Sequence, residues 1–149
     1  MSRDIAIYTS SACTTTGLAN WSFVVTDGKH TRTYSGMVSE CNPNRAELIA
    51  VLEALKHINH VYARGTTIKL YSNSFYVRNG ITKWLTGWLK NNWITDKREP
   101  VKNTDLWQEV NGFIALHSID WRWQKIESQT SIVRARVLRH RAQKPALVA

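Results

Sequence analysis

The sequence predicts one α/β domain in which helices cover both faces of a mixed five-stranded sheet. Five separate runs alternate apolar and polar residues, as half-buried strands do. Short links join the first three runs, whereas the last two alternate with runs of helical period. The chain has 149 residues, which suffice for one domain with its own core but hardly for two. We therefore expect a single domain over residues 1–149.

The first three strands are predicted at residues 4–8 (DIAIY), 21–25 (WSFVV) and 31–38 (TRTYSGMV). Between the first two, the small and polar residues SSACTTTGLAN indicate a turn. Because both links are short, the three strands are expected to form an antiparallel meander.

The rest of the chain alternates helices and strands. A helix over residues 42–58 opens at Asn42 or Pro43 and carries an apolar face. The later elements are predicted as a strand at 67–71, two short helices at 73–81 and 82–90 that are broken near Gly80, a helix at 103–116, a strand at 118–124, an arginine-rich helix at 130–142 and a frayed tail at 143–149.

Three features bear on the location of the protein. No apolar run approaches the roughly 18 residues that a membrane span needs. The first residues lead directly into a strand pattern and lack the apolar core of a signal peptide. The two cysteines, Cys13 and Cys41, form no disulfide framework and are expected to be reduced thiols. We expect a cytoplasmic protein without a membrane partner.

The charge balance is strongly basic. The chain has 20 Lys and Arg residues against 11 Asp and Glu residues, which gives a formal net charge of +9. Such a balance is either a basic but otherwise ordinary surface or an electrostatic footprint for a polyanion such as nucleic acid.

Many of these charges fall in one segment, residues 81–107, which we call the handle. It ends at Trp107 and combines three closely spaced tryptophans with five cations: Trp84, Trp88, Trp93, Lys83, Lys90, Lys97, Arg98 and Lys102. One or two of the indoles are expected to pack on the core, because a short helix must pack on something. The remaining aromatic and basic side chains are expected to meet a phosphate backbone without reading base sequence.

Four stretches of the chain resemble one family along nearly the whole length. They are IYTSSAC in the first strand, NRAELIAVLEAL in the first long helix, LYSNSFYVRNGITKWLTGWLKNNW from the fourth strand into the handle, and EPVKNTDLWQEV after it. Together they resemble the bacterial type 1 ribonuclease H family and its fold. The resemblance implies hydrolysis of the RNA strand of an RNA/DNA hybrid with two divalent ions, Mg²⁺ or Mn²⁺.

The family's four metal-ligating carboxylates are mostly absent at the matching positions. Glu47 is kept, whereas Ser10 and Asn73 stand where the family has aspartates, and the fourth position falls on Arg136. Neutral oxygens ligate Mg²⁺ poorly, and a cation at ~4 Å opposes a positive charge by ~4 kcal/mol at an effective dielectric of about 20. We therefore expect a divergent member with a degenerate site, no metal cofactor and no catalysis, which makes it a pseudoenzyme.

Two further residues bear on this expectation. Ile126 and Glu127 stand where the family has a Gly-His pair. A one-metal site formed by Glu47 and Glu127 is the alternative that would preserve some chemistry. We favour a Glu47 that pairs instead with Arg134 or Arg136.

The resemblance also implies nucleic-acid contacts outside the handle. Asn44 matches an asparagine that contacts the RNA strand, and Arg45 matches the arginine after it. Arg134 and Arg136 are expected to touch the phosphate at the site of the lost metal ions. The predicted nucleic-acid-binding set is Asn44, Arg45, Lys83, Trp84, Trp88, Lys90, Trp93, Lys97, Arg98, Lys102, Arg134 and Arg136.

Three functions follow from these observations. The favoured one is an inactive ribonuclease H homologue that binds RNA/DNA hybrid or another duplex through the handle. The second is a module that binds a protein partner, such as a decoy or inhibitor carried by a virus or mobile element. The third is a residual metal-dependent nuclease.

Overall fold

The computed structural model describes residues 5–13, 17–40 and 42–123. The predicted helix over 130–142 and the tail over 143–149 lie outside these residues. The extent of the domain over 1–149 therefore stays a prediction.

Five strands form one sheet in the order β3-β2-β1-β4-β5. β1 pairs antiparallel with β2, and β2 pairs antiparallel with β3, whereas β4 runs parallel to both of its neighbours. The mixed sheet and the antiparallel meander predicted from the sequence are thus confirmed. The strands are β1 (Ile5–Cys13), β2 (Ala19–Thr26), β3 (Thr31–Val38), β4 (Thr67–Ser72) and β5 (Ser118–Trp123).

β1 extends five residues beyond its predicted end at residue 8. Its second half pairs in register with β2, with Thr9 opposite Phe23, Ser10 opposite Ser22 and Ser11 opposite Trp21. Successive hydroxyl side chains conceal the apolar alternation that marks a strand in a sequence. The backbone ladder nevertheless continues, and it carries these hydroxyls to the edge of the sheet.

The long helix α1 (Pro43–Val61) packs its apolar stripe on one face of the sheet. Asn42 caps it, since its side chain accepts a hydrogen bond from the Arg45 backbone N–H at 3.1 Å. This cap satisfies one of the free donors at the helix start and fixes where the helix begins. Glu47 is consequently held one turn into α1, beside the ends of β1 and β4.

The short helices after β4 form one continuous helical stretch. α2 (Phe75–Asn79) passes through a π-helical turn (Gly80–Trp84) into α3 (Leu85–Lys90). A Cβ at Gly80 would lie 2.1–2.9 Å from ring atoms of Trp107 in α4 (Thr104–Ile114). The predicted break near Gly80 is thus a local widening of the helix at a close aromatic contact.

Cys13 is disulfide-bonded, so the prediction of reduced thiols is wrong for this residue. The other cysteine of the sequence, Cys41, lies outside the described residues. Among the described helices, none has the length and apolar character to cross a membrane.

Candidate functional site

A polar cleft opens where the parallel pairing of β1 with β4 ends, just after Tyr8 and Tyr71. Ligands of open α/β sheets bind at this edge, outside the carboxyl ends of the strands. The cleft has a volume of about 130 Å³. Its lining is formed by Thr9, Ser10, Ser11, Glu47, Ala50, Ser72, Asn73 and Ser74.

The fold brings three of the predicted site residues together in this cleft. Ser10 comes from β1, Glu47 from α1 and Asn73 from the residue directly after β4. Ser10 is buried and Asn73 is exposed, so the cleft runs from the sheet to the solvent. Arg134 and Arg136 lie outside the described residues, as does any pairing of either with Glu47.

Glu47 has a partner that the sequence analysis missed. The Ser74 hydroxyl donates to Glu47 Oε2 at 2.5 Å, and Ser74 Oγ also accepts a hydrogen bond from the Val77 backbone N–H at 3.1 Å. Ser74 is 4% exposed and caps α2. One hydroxyl therefore begins a helix and fixes the carboxylate of the cleft. A serine before a helical run is the sequence signal for the cap, but no spacing rule links it to Glu47.

The cleft is lined mainly by neutral oxygen donors. A pair of Mg²⁺ ions needs several anionic oxygens held close together. The described cleft supplies the Glu47 carboxylate together with neutral serine, threonine and asparagine oxygens. Within the described ranges, no group of three or more His, Cys, Asp or Glu side chains could hold a metal ion. These donors do not by themselves fit two ions.

The handle is built around a cluster of indoles. Ring centroids of Trp88 lie 5.8 Å from Trp84, 6.2 Å from Trp93 and 5.4 Å from the fully buried Trp107. Trp88 and Trp93 pack against the core, whereas Trp84 is 39% exposed. The expectation that one or two of these indoles belong to the core is confirmed.

The handle loop holds a strained backbone. Four residues outside glycine have positive φ among the described residues: Asn92, Trp93, Arg98 and Asn103. For a bulky residue such as Trp93, with φ 64°, this conformation is costly. Packing of its indole on the core and the bridge between Ile94 and Pro100 hold the loop in place. The loop therefore has a fixed shape that presents its charges outward.

The five cations of the handle all point to solvent. Lys83, Lys90, Lys97, Arg98 and Lys102 are exposed, and none has an ion-pair partner within the described part of the chain. Two acids, Asp96 and Glu99, lie in the same loop. The cations still outnumber them, so the surface attracts anions.

The two predicted contacts at the start of α1 differ in their surroundings. Asn44 is exposed and free to reach a ligand. The Arg45 guanidinium donates to both carboxylate oxygens of Asp105, at 2.8 and 3.2 Å, and to Asn103 Oδ1 at 3.0 Å. The hydrogen bond from Arg45 lowers the pKa of Asp105, and the same bond raises the pKa of Arg45. Arg45 thus joins α1 to the first turn of α4, and its contact to nucleic acid stays a prediction.

Curated relatives resemble this chain over most of its length. A Ribonuclease H of Marinobacter nauticus is 37% identical over 126 residues, which cover 84% of this chain and 83% of the relative. A Ribonuclease H of Mycolicibacterium smegmatis is 40% identical over 128 residues, covering 84% and 78%. One similar solved structure is LC9-RNase H1, described as a type 1 RNase H with the type 2 active-site motif. Its TM-score is 0.76 at 22% sequence identity, and the match covers 95% of this chain and 74% of that one.

These relatives contradict the prediction of an inactive homologue that is not an enzyme. Proteins at this identity are named for an enzyme, and nothing in the described residues shows that activity is lost. The prediction rests on three substituted ligand positions and on Ile126 and Glu127 in place of the family's Gly-His pair. Each substitution removes one oxygen ligand of the family's metal site, but it does not by itself show that activity is lost.

The prediction that no metal cofactor is used is contradicted on the same ground. The relatives carry the name of a family whose hydrolysis, as the resemblance implies, depends on Mg²⁺ or Mn²⁺. The described donors and this chemistry disagree, since Glu47 is the one carboxylate that lines the described cleft.

Residues 2–130 match the RNase H family. The TM-score of 0.76 shows that this chain shares the overall fold of the solved relative. With the identity to curated bacterial enzymes, these findings establish that the chain belongs to the type 1 ribonuclease H family.

Proposed function

We propose that the chain is a ribonuclease H that binds RNA/DNA hybrid across the cleft and the handle and hydrolyses the RNA strand. The observation that carries the proposal is the convergence of Ser10, Glu47 and Asn73 at the carboxyl ends of β1 and β4. The resemblance implies that these are three of the positions at which the family has its metal-ligating carboxylates.

The residues of this chain have distinct parts in the proposed reaction. Glu47 supplies negative charge and a proton acceptor beside the phosphate. Ser74 holds the Glu47 carboxylate in one orientation through its 2.5 Å hydrogen bond. The Ser10 hydroxyl and the Asn73 amide are neutral donors that can approach a phosphate oxygen without repelling it. No step is routed through a metal ion, because the described donors do not fit a pair of ions.

The handle supports binding of the duplex. Its five exposed cations meet phosphates, and the exposed Trp84 shapes the contact surface. With a slope of about −0.9 per phosphate contact, five contacts would reduce affinity several hundred-fold, roughly, for a fourfold rise in salt. Binding of this kind follows duplex shape and charge and does not read base sequence.

One titration tests the proposal. A hybrid labelled on its RNA strand is mixed with the chain at two salt concentrations, without metal and with Mg²⁺ or Mn²⁺. We expect salt-sensitive binding in every case and RNA cleavage when metal is added. An intact RNA strand under conditions in which the hybrid is bound would refute the hydrolytic part of the proposal, and absence of binding at low salt would refute all of it.

Two narrower predictions belong to this proposal. The preference for RNA/DNA hybrid over other duplexes rests on membership of the family and is tested by competition with unlabelled DNA and RNA duplexes. The cytoplasmic location stays a prediction, and the disulfide at Cys13 weighs against it, since disulfides are rare in that compartment.

A further inference from the structure

A second groove lies beside the cleft, on the solvent face of the helical stretch after β4. It has a volume of about 460 Å³, within the range of small-molecule sites. It is lined by Phe75, Arg78, Asn79, Thr82, Lys83 and Trp123. Among these residues, only Lys83 belongs to the nucleic-acid-binding set predicted from the sequence.

Five of these residues form one stripe. Arg78 and Asn79 follow Phe75 by three and four residues, which places them on the same face of α2. Thr82 and Lys83, in the π-helical turn that follows, line the same groove. The stripe begins at Phe75, the residue directly after Ser74 of the cleft, although the two linings share no residue.

Phe75 is exposed in a way that core packing does not explain. Its side chain is 73% exposed, the highest value among the large hydrophobic residues that the structure describes. An isolated exposed aromatic residue is unremarkable by itself. This one shares a groove with Trp123 and with two cations, Arg78 and Lys83, that have no ion-pair partner among the described residues.

An aromatic face beside unpaired cations has the chemistry of a single-stranded nucleic-acid site. Successive bases stack on aromatic rings, and the cations follow the backbone phosphates. Inside a duplex both faces of each base are covered by neighbouring bases. Phe75 can therefore stack only on a base that is unpaired or at the end of a duplex.

We propose that this groove binds an unpaired nucleotide next to the hybrid held in the cleft, with its base on Phe75 and its phosphates at Arg78 and Lys83. The inference rests on the proposed function for the duplex part and adds a preference for hybrids with a single-stranded tail or junction. Stacking of one base on an aromatic ring corresponds to a gain in affinity of about tenfold.

The test compares a blunt RNA/DNA hybrid with the same hybrid carrying a short single-stranded DNA tail at either end, in buffer without metal. The measured quantity is the ratio of the two affinities for each protein variant. We expect a tail to raise the affinity of the unmodified chain about tenfold. We expect Phe75→Ala to abolish most of that gain, Phe75→Trp to keep it, and Arg78→Ala with Lys83→Ala to reduce it and its salt dependence.

Arg64→Ala is the matched control for charge, since Arg64 is exposed in the turn before β4 at the opposite edge of the sheet. Its ratio should equal that of the unmodified chain. A tail that adds nothing, or a gain that persists in Phe75→Ala, would overturn the groove assignment. A failure of the proposed function would be seen in a different measurement, because the unmodified chain would then neither bind nor cleave the blunt hybrid. A gain that depends on both the tail and Phe75 would support the groove even then.

Discussion

Removal of the Ser74 hydroxyl should weaken both the fold and the cleft. In Ser74→Ala the Val77 N–H loses its cap acceptor, which costs about 1 kcal/mol. The half-buried Glu47 carboxylate loses the hydrogen bond that Ser74 donates to it, which costs about 1.5 kcal/mol. The sum of about 2.5 kcal/mol corresponds to a fall in Tm of roughly 5–10 °C for a chain of this size.

Denaturant unfolding of Ser74→Ala, Ser74→Thr and the control Ser118→Ala measures this cost. Ser74→Thr keeps the hydroxyl and should retain most of the stability, and Ser118 is exposed at the start of β5. A double-mutant cycle with Glu47→Ala then isolates the Ser74–Glu47 contact, for which we expect a coupling energy of about 1 kcal/mol or more. Additivity to within about 0.3 kcal/mol would refute the claim that the two side chains act together.

Three further predictions concern the core, the pH dependence and the handle. Gly80→Ala should destabilise the fold by about 1–3 kcal/mol, because its Cβ would meet the Trp107 ring. The control Gly112→Ala faces open space in α4 and should stabilise the fold slightly. Equal effects of the two variants on the free energy of unfolding would contradict the close contact between Gly80 and Trp107. Burial, followed by the nearby His60 and Arg32, lowers the pKa of His57 below 6.5, so the folded state favours neutral imidazole. The free energy of unfolding should therefore fall as the pH falls through 6.5. Thermal unfolding of His57→Leu should lose this part of the pH dependence, and an unchanged pH profile would refute the prediction. Joint replacement of Lys97, Arg98 and Lys102 by alanine should reduce the salt slope of hybrid binding by about 2.7, whereas Lys29→Ala, in the turn between β2 and β3, should leave it unchanged; an unaltered slope in the triple variant would exclude the handle from phosphate contact.

The sequence predicts the strands and helices whose residues alternate or repeat with a clear apolar period. β3 has its predicted bounds, and α1 begins where the Asn42 and Pro43 signal indicates. The second half of β1 was missed because its hydroxyl residues line the cleft, and cleft residues interrupt the apolar pattern. The π-helical turn was missed because it depends on Trp107, a residue 27 positions beyond Gly80 in the sequence.

The site could be predicted only in part for a similar reason. Motif positions identified Ser10, Glu47 and Asn73, and the fold brings all three into one cleft. The contacts that hold Glu47 and Arg45 come from Ser74 and Asp105, which are distant along the chain. The inference of inactivity failed because it counted donors at matched positions, whereas the similarity to named enzymes extends over most of the chain.

Cleavage of the labelled RNA strand by Glu47→Gln, compared with the unmodified chain and Glu53→Gln, tests the central claim most directly. Glu53 lies on the same helix and pairs with Lys56 at 3.1 Å, so its variant removes a carboxylate of α1 outside the cleft. With hybrid saturating and Mg²⁺ or Mn²⁺ present, we expect cleavage by the unmodified chain and by Glu53→Gln, and a loss of at least about 100-fold in Glu47→Gln. Equal cleavage by all three proteins, or bound hybrid that all three leave intact, would contradict a ribonuclease H that depends on Glu47.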